Sequence, residues 1–135
     1  MKLSALDWRN LSTLYQNLAD SVLDYRISNS ATLTLDQKNS LNVAFGELLT
    51  ASESFANQAL QQATSDIGAS VQAIQESTHD AIAAIHSITV LKNVLDISVA
   101  AIGLATAMLA PTPGTVASAL GCLVDAVRDA AQNEA

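Results

Sequence analysis

From Ile67 to Leu109 an apolar residue returns at every seventh position: Ile67, Ile74, Ala81, Ile88, Leu95, Ile102 and Leu109. Seven is an odd step, so in a strand these residues would alternate between opposite faces, whereas in an α-helix they fall on one stripe. The pattern therefore selects helix. A second row, offset by four, reads Val71, Thr78, Ile85, Lys92, Val99 and Thr106. It is half apolar and Lys92 interrupts it, which gives a packing seam of coiled-coil character rather than a dedicated long coiled coil. Ile67, Ile74, Ile88, Leu95, Ile102 and Leu109 are the interface candidates that this seam supplies.

The flanking segments are helical by the same reasoning. Leu11, Leu14, Leu18, Val22 and Tyr25 alternate spacings of three and four. Ser4 is placed to cap the helix that carries them, with Asp7 reaching back, so the first helix is expected over residues 5–27. The polar run 28–32 reads as a short connection. Thr34 and Gln37 then form a capping box, and no proline follows until Pro111. A helix continuing from Leu35 to Ala110 would be about 115 Å long, whereas a compact chain of this size has a radius of gyration near 14 Å. The region must fold back, at Asp66-Ile67-Gly68 or Lys92-Asn93, or bury its seam against other chains. The scarcity of turn residues inside it favours at least one helix longer than about 35 residues. After Pro111, Thr112 suits an N-cap and Pro113 the first helical position, and Val116, Leu120, Leu123 and Val127 give the last helix an apolar stripe ending near Ala131.

The expected fold is thus all-α, with no sheet, in a single helical domain spanning 1–135. It is a helical hairpin or bundle with one long helical region and a short C-terminal helix. Composition agrees: 50% of the residues are hydrophobic but only 4% aromatic, so the interior is built from Leu, Ile, Val and Ala.

Charge excludes several function classes. Residues 1–38 balance Lys2, Arg9, Arg26 and Lys38 against four aspartates, so the net charge of −7 lies entirely beyond them. Such a surface repels phosphate backbones and anionic lipid headgroups, and nucleic acid is not an expected partner. Charges at Asp7 and Arg9 break any leader-like apolar core, and a cytoplasmic location is expected. The lone Cys122 permits no disulfide within the chain. It is read as a small buried helix residue, with a disulfide-linked dimer as the alternative.

No chemistry-bearing motif stands out. Glu76 and His79 have the E-x-x-H spacing of half a di-iron site, but His86, the other histidine, has no such glutamate. Both histidines fall about 150° from the seam and should be solvated. The glycines at 46, 68, 103, 114 and 121 are isolated, so no phosphate cradle or nucleophile elbow exists. No catalytic residue, metal or cofactor is expected.

One segment demands explanation. Between Asp96 and Asp125 lie 28 residues without a charge. Within them, 97–110 is apolar all round, which implies burial on every side. At about 21 Å this stretch falls short of a bilayer core of about 30 Å. The leading expectation is a non-enzymatic interaction or assembly module that self-associates or binds a protein partner, as an adaptor, chaperone-like protein or oligomer subunit does. The alternative is a membrane-active protein whose hairpin, residues 97–124, inserts conditionally, with Gly103/Ala107 and Ala117/Gly121 spacings that permit close helix contact in lipid. A small helical enzyme or metal-binding bundle comes third.

Overall fold

A computed structural model describes residues 2–61, 65–66, 70–88, 90–110 and 114–133. Five helices dominate it: α1 (Ala5–Ser28), α2 (Leu35–Leu60), α3 (Val71–Ser87), α4 (Leu91–Leu109) and α5 (Thr115–Asn133). A two-residue pair, β1 (Lys2–Leu3) against β2 (Ser65–Asp66), is antiparallel with Lys2 opposite Asp66 and Leu3 opposite Ser65. No sheet was expected. The pair is too short to form a layer, and it brings the start of α1 next to the segment leading into α3. The fold is an all-α bundle.

The first two helices begin where the sequence places their caps. Ser4 Oγ accepts from the Asp7 amide at 3.2 Å while Asp7 Oδ2 accepts from the Ser4 amide at 2.9 Å. Thr34 and Gln37 make the same reciprocal pair, at 3.2 and 2.9 Å. Each box satisfies two N–H groups that a helix start leaves without a partner in the helix.

The expected helix of more than about 35 residues is absent. The region 35–110 divides into three helices of 26, 17 and 19 residues. The first break falls between Leu60 and Val71, where Ile67 and Gly68 of the expected turn lie outside the described residues; the second comes a few residues before Lys92-Asn93. Ser70 caps α3, its Oγ accepting from the Ala73 amide at 3.2 Å. At the second break, Ile88 and Val90 have extended backbones, and the sequence Ile88-Thr89-Val90 is β-branched throughout, which disfavours helix. Breaking the helix resets its rotation. In α3 the seam holds, with Ile74, Thr78, Ala81 and Ile85 buried. In α4 the buried row is Val94, Ile97, Ala101, Leu104 and Met108, one residue ahead of the row Leu95, Ile102 and Leu109, which is only half-buried.

α1 and α2 form one antiparallel hairpin and α4 and α5 another. α4 lies between α2 and α5, while α3 packs against α1 and α5. α1 and α3 run parallel: Asn10 and Thr13 share a groove with Gln75 and His79 near their starts, and Ser21 meets His86 near their ends. The α1–α2 hairpin is pinned by Ser12 and Ser52, each hydroxyl donating to the other's backbone carbonyl at 2.8 and 2.7 Å. Phe55 from α2 packs on Trp8 and edge-on against Tyr15, with ring centroids 5.5 and 5.1 Å apart. The Tyr15 hydroxyl donates to the Ala101 carbonyl of α4 at 2.7 Å, so that α1 is joined to α4 through the core.

The apolar helix is not buried on every side. Val94, Ile97, Ala101, Leu104, Ala105 and Met108 are buried, but Lys92, Asp96, Val99, Gly103, Thr106 and Ala110 form an exposed stripe along α4. The sequence concealed that stripe because its upper part is made of Val, Gly, Thr and Ala rather than of charged residues. Cys122 is likewise exposed, not buried. The buried line of α5 runs through Val116, Leu123 and Ala130, and Cys122 lies about 100° around the helix from Leu123. The last helix runs to Asn133 instead of ending near Ala131. Thr112 and Pro113 lie outside the described residues. Gly114, at φ 80, takes the left-handed conformation that glycine tolerates and precedes α5.

The phase of α4 is testable in a pair of truncations. Ile97→Ala removes a fully buried side chain and should cost about 2–5 kcal/mol in urea denaturation. Val99→Ala, two residues on, should change stability by less than about 0.5 kcal/mol.

Candidate functional site

Three groups of side chains could bear function. The first is a shallow groove of about 470 Å³ between the first halves of α1 and α3, lined by Asn10, Thr13, Leu14, Gln75, Glu76 and His79. Glu76 and His79 share its wall, as the E-x-x-H spacing requires, but Glu76 is engaged by the Gln72 amide at 3.0 Å. Among the described residues no three His, Cys, Asp or Glu side chains gather as a metal ion would need.

The second is a pocket of about 240 Å³ where α1 and α3 end, with Ser21, Asp24 and His86 in its lining. A serine, a histidine and an aspartate in one pocket invite comparison with a hydrolytic triad. The buried Ser21 hydroxyl lies 2.9 Å from the Asn17 carbonyl, one turn back in α1. Ser21 Oγ also lies 3.2 Å from His86 Nε2, a contact in which the donor is set by the imidazole tautomer. The pairing joins α1 to α3 where the two helices end.

The third is the outward surface of α2, α4 and α5. The exposed stripe of α4 runs along its middle with a groove on either side. The groove towards α2, about 350 Å³, is lined by Glu47, Thr50 and Ser54 opposite Ile102, Thr106 and Leu109. The groove towards α5, about 450 Å³, is lined by Asp96, Val99 and Ala100 opposite Cys122, Asp125 and Asp129. Val99 is 68% exposed, and Val43, one turn before Glu47 on α2, is 59% exposed. Apart from Glu47, the charged side chains lining the two grooves lie on the α5 side. Lys92 is bonded to Asp96 at 2.8 Å, which raises its pKa, and Arg128 to Asp125 at 2.6 Å.

The six seam candidates are dispersed by the fold. Ile67 lies outside the described residues. Ile74 and Ile88 are buried inside the bundle and pack within this chain. Leu95, Ile102 and Leu109 are half-buried, and of these Ile102 and Leu109 line the α2–α4 groove. The periodicity could not indicate Val43, Val99 or Thr106 as surface residues, because the reset of α4 removes the register from which such a judgement is made.

No family model, no curated protein and no solved structure matches this chain.

Among the described residues, α4 is the one helix long and apolar enough to cross a membrane by length and composition, yet half of that stretch is buried within the bundle. Its attachment to α1 has a chemical signature. Complete burial pushes the Tyr15 phenol well above the ordinary tyrosine value of 10.0. The folded chain then keeps its proton where the unfolded chain has lost it. The stabilisation is intact below pH 10 and is lost as pH rises above it. Between pH 10 and 11.5 the folding free energy should fall by an extra 1.4 kcal/mol or so per pH unit, and Tyr15→Phe should remove that component of the slope.

Proposed function

We propose that this protein is a non-enzymatic helical module that works by presenting the α2–α4–α5 surface to a protein partner. The observation that carries the reading is the composition of that surface. Along α4, Val99, Gly103 and Thr106 are exposed and uncharged, while Glu47 lines the groove towards α2 and Lys92, Asp96, Asp125 and Arg128 stand towards the other groove and one end. Protein interfaces have this anatomy, an uncharged centre inside a polar rim, whereas a helix that meets only water is normally covered by charged and polar residues. Among the described residues no three metal-ligating side chains gather, which favours this reading over a metal-binding bundle.

The alternative is conditional insertion of the α4–α5 hairpin into a bilayer, which the length and hydropathy of α4 favour. Against it, α5 carries Asp125, Arg128 and Asp129, and the apolar side of α4 is committed to the core. Vesicles of phosphatidylcholine and phosphatidylglycerol loaded with a self-quenching dye distinguish the two. The folded protein should release no dye at neutral pH or at about pH 4.5, where acidic side chains begin to lose their charge. Release at either pH by protein that retains its helical circular dichroism would replace the module reading with the membrane one.

A further inference from the structure

Lys92 and Arg128 are each neutralised within their own helix, by Asp96 and Asp125. Arg26 and Lys38 are not. Arg26 lies in the last turn of α1 and Lys38 in the first turn of α2, on either side of the connection that joins them. No acid stands three or four residues from either one, so neither has a carboxylate neighbour on its own helix face. Asp24 and Asp36, each two residues from a cation, lie about 160° round their helices, and Asp24 lines the pocket on the α3 side. Both cations are half-buried. The Nε–H of Arg26 is closed off from solvent and finds no acceptor among the described residues.

The hairpin brings the two cations together. Ser12 and Ser52 bond to each other across α1 and α2; Arg26 is fourteen residues beyond the first of them and Lys38 fourteen before the second. Equal steps along antiparallel helices keep a pair at one level. Fourteen residues fall about 40° short of four full turns, so both positions return close to the line where α1 meets α2. With about 9 Å between the helix axes, two such long side chains reach a ligand set between them. Helix stability does not account for the pair. The dipole favours a cation at the end of α1, but that interaction leaves the charged head in water and does not explain a sealed Nε–H. At the start of α2 the dipole disfavours a cation. An oxyanion between the two would satisfy the buried donor and relieve the like-charge repulsion, because a guanidinium offers adjacent N–H groups to two oxygens at once. We infer that the tip of the α1–α2 hairpin binds a phosphate group, with Arg26 as the bidentate donor and Lys38 as the second charge. Two cations match a dianion, and the positive end of α2 adds to their field. The first 38 residues carry no net charge, so the acidity of the later helices does not preclude the site. It is independent of the reading of the α2–α4–α5 surface.

Nitrogen-15 NMR of the whole chain at about pH 7.5, where phosphate is largely dianionic, tests the inference. Sodium phosphate is exchanged for sodium chloride at constant ionic strength, which holds general screening fixed. The Arg26 Nε–H resonance, identified by its loss in Arg26→Lys, should move saturably, with half-saturation in the millimolar range or tighter. Read from the backbone amides at the start of α2, Arg26→Lys keeps the charge but loses the fork and should raise the phosphate dissociation constant at least tenfold. Lys38→Gln should raise it at least threefold. Lys92→Gln removes the same charge from a paired lysine and should leave it unchanged. Circular dichroism and the thermal midpoint in chloride confirm that each variant folds, and the wild-type midpoint should rise on exchange into phosphate while that of Arg26→Lys does not. Glycerol 3-phosphate separates the sources: affinity equal to that of inorganic phosphate assigns a free ion, and tighter binding assigns a phosphate carried on a larger molecule. An Nε–H resonance that stays still throughout the titration would overturn the inference. Amide shifts that persist unaltered in both Arg26→Lys and Lys38→Gln would overturn it too, by assigning the anion to the helix start alone, as would equal weakening by Lys92→Gln, which would reduce the effect to net charge.

Discussion

Tyr15 spans the interior from α1 to the Ala101 carbonyl of α4, and the arrangement of the bundle follows from what that requires. An aromatic ring with a hydroxyl can enter a core only if the hydroxyl finds an acceptor, and a helix carbonyl already engaged by its own backbone can accept a second bond. Meeting that condition fixes both the height and the rotation of α4. Its row Val94, Ile97, Ala101, Leu104 and Met108 turns inward, and Val99, Gly103 and Thr106 are left outside. The same ring meets Phe55 edge-on, so α2 is held to α1 by the residue that holds α4. With so few aromatic residues in the chain, their concentration at this junction lets an otherwise aliphatic interior acquire a definite register.

The surface proposed as an interface is a consequence of that rotation. Had α4 continued the phase of α3, Leu95, Ile102 and Leu109 would have been central to the core and the stripe facing water would have been a different one. The break before α4 thus decides which residues are available outside. Small and uncharged residues at Val99, Gly103, Thr106, Gly121 and Cys122 are unremarkable one by one, and they acquire meaning only when α2, α4 and α5 are set side by side.

Legibility in the sequence followed the range of the interactions involved. Caps are local, and Ser4 with Asp7 and Thr34 with Gln37 could be read because their hydrogen bonds close within three residues. The seam in α3 could be read because one uninterrupted helix keeps its phase. The division of residues 35–110 could not, since neither break contains proline and Ser70 lacks the glutamate or glutamine three residues on that would complete a capping box. A β-branched run such as Ile88-Thr89-Val90 only tilts a balance that tertiary packing decides. Cys122 was misplaced for a related reason: its neighbour Leu123 takes the buried line of α5, and which of two adjacent small apolar residues faces inward depends on the helix opposite. The outer surface was the least legible part, because it joins residues from three helices far apart in the chain.

Trp8 has a consequence of a different kind. It is the only tryptophan in the chain, it is buried, and it touches Phe55 across the α1–α2 hairpin. The molecule therefore carries a single strong fluorophore, and that fluorophore is located in one half of the bundle. Its emission registers the packing of α1 on α2, whereas far-ultraviolet dichroism weighs all five helices together. Any condition that loosens the α4–α5 hairpin while sparing the aromatic junction would separate the two signals, so the chain contains its own optical means of telling partial opening from cooperative unfolding.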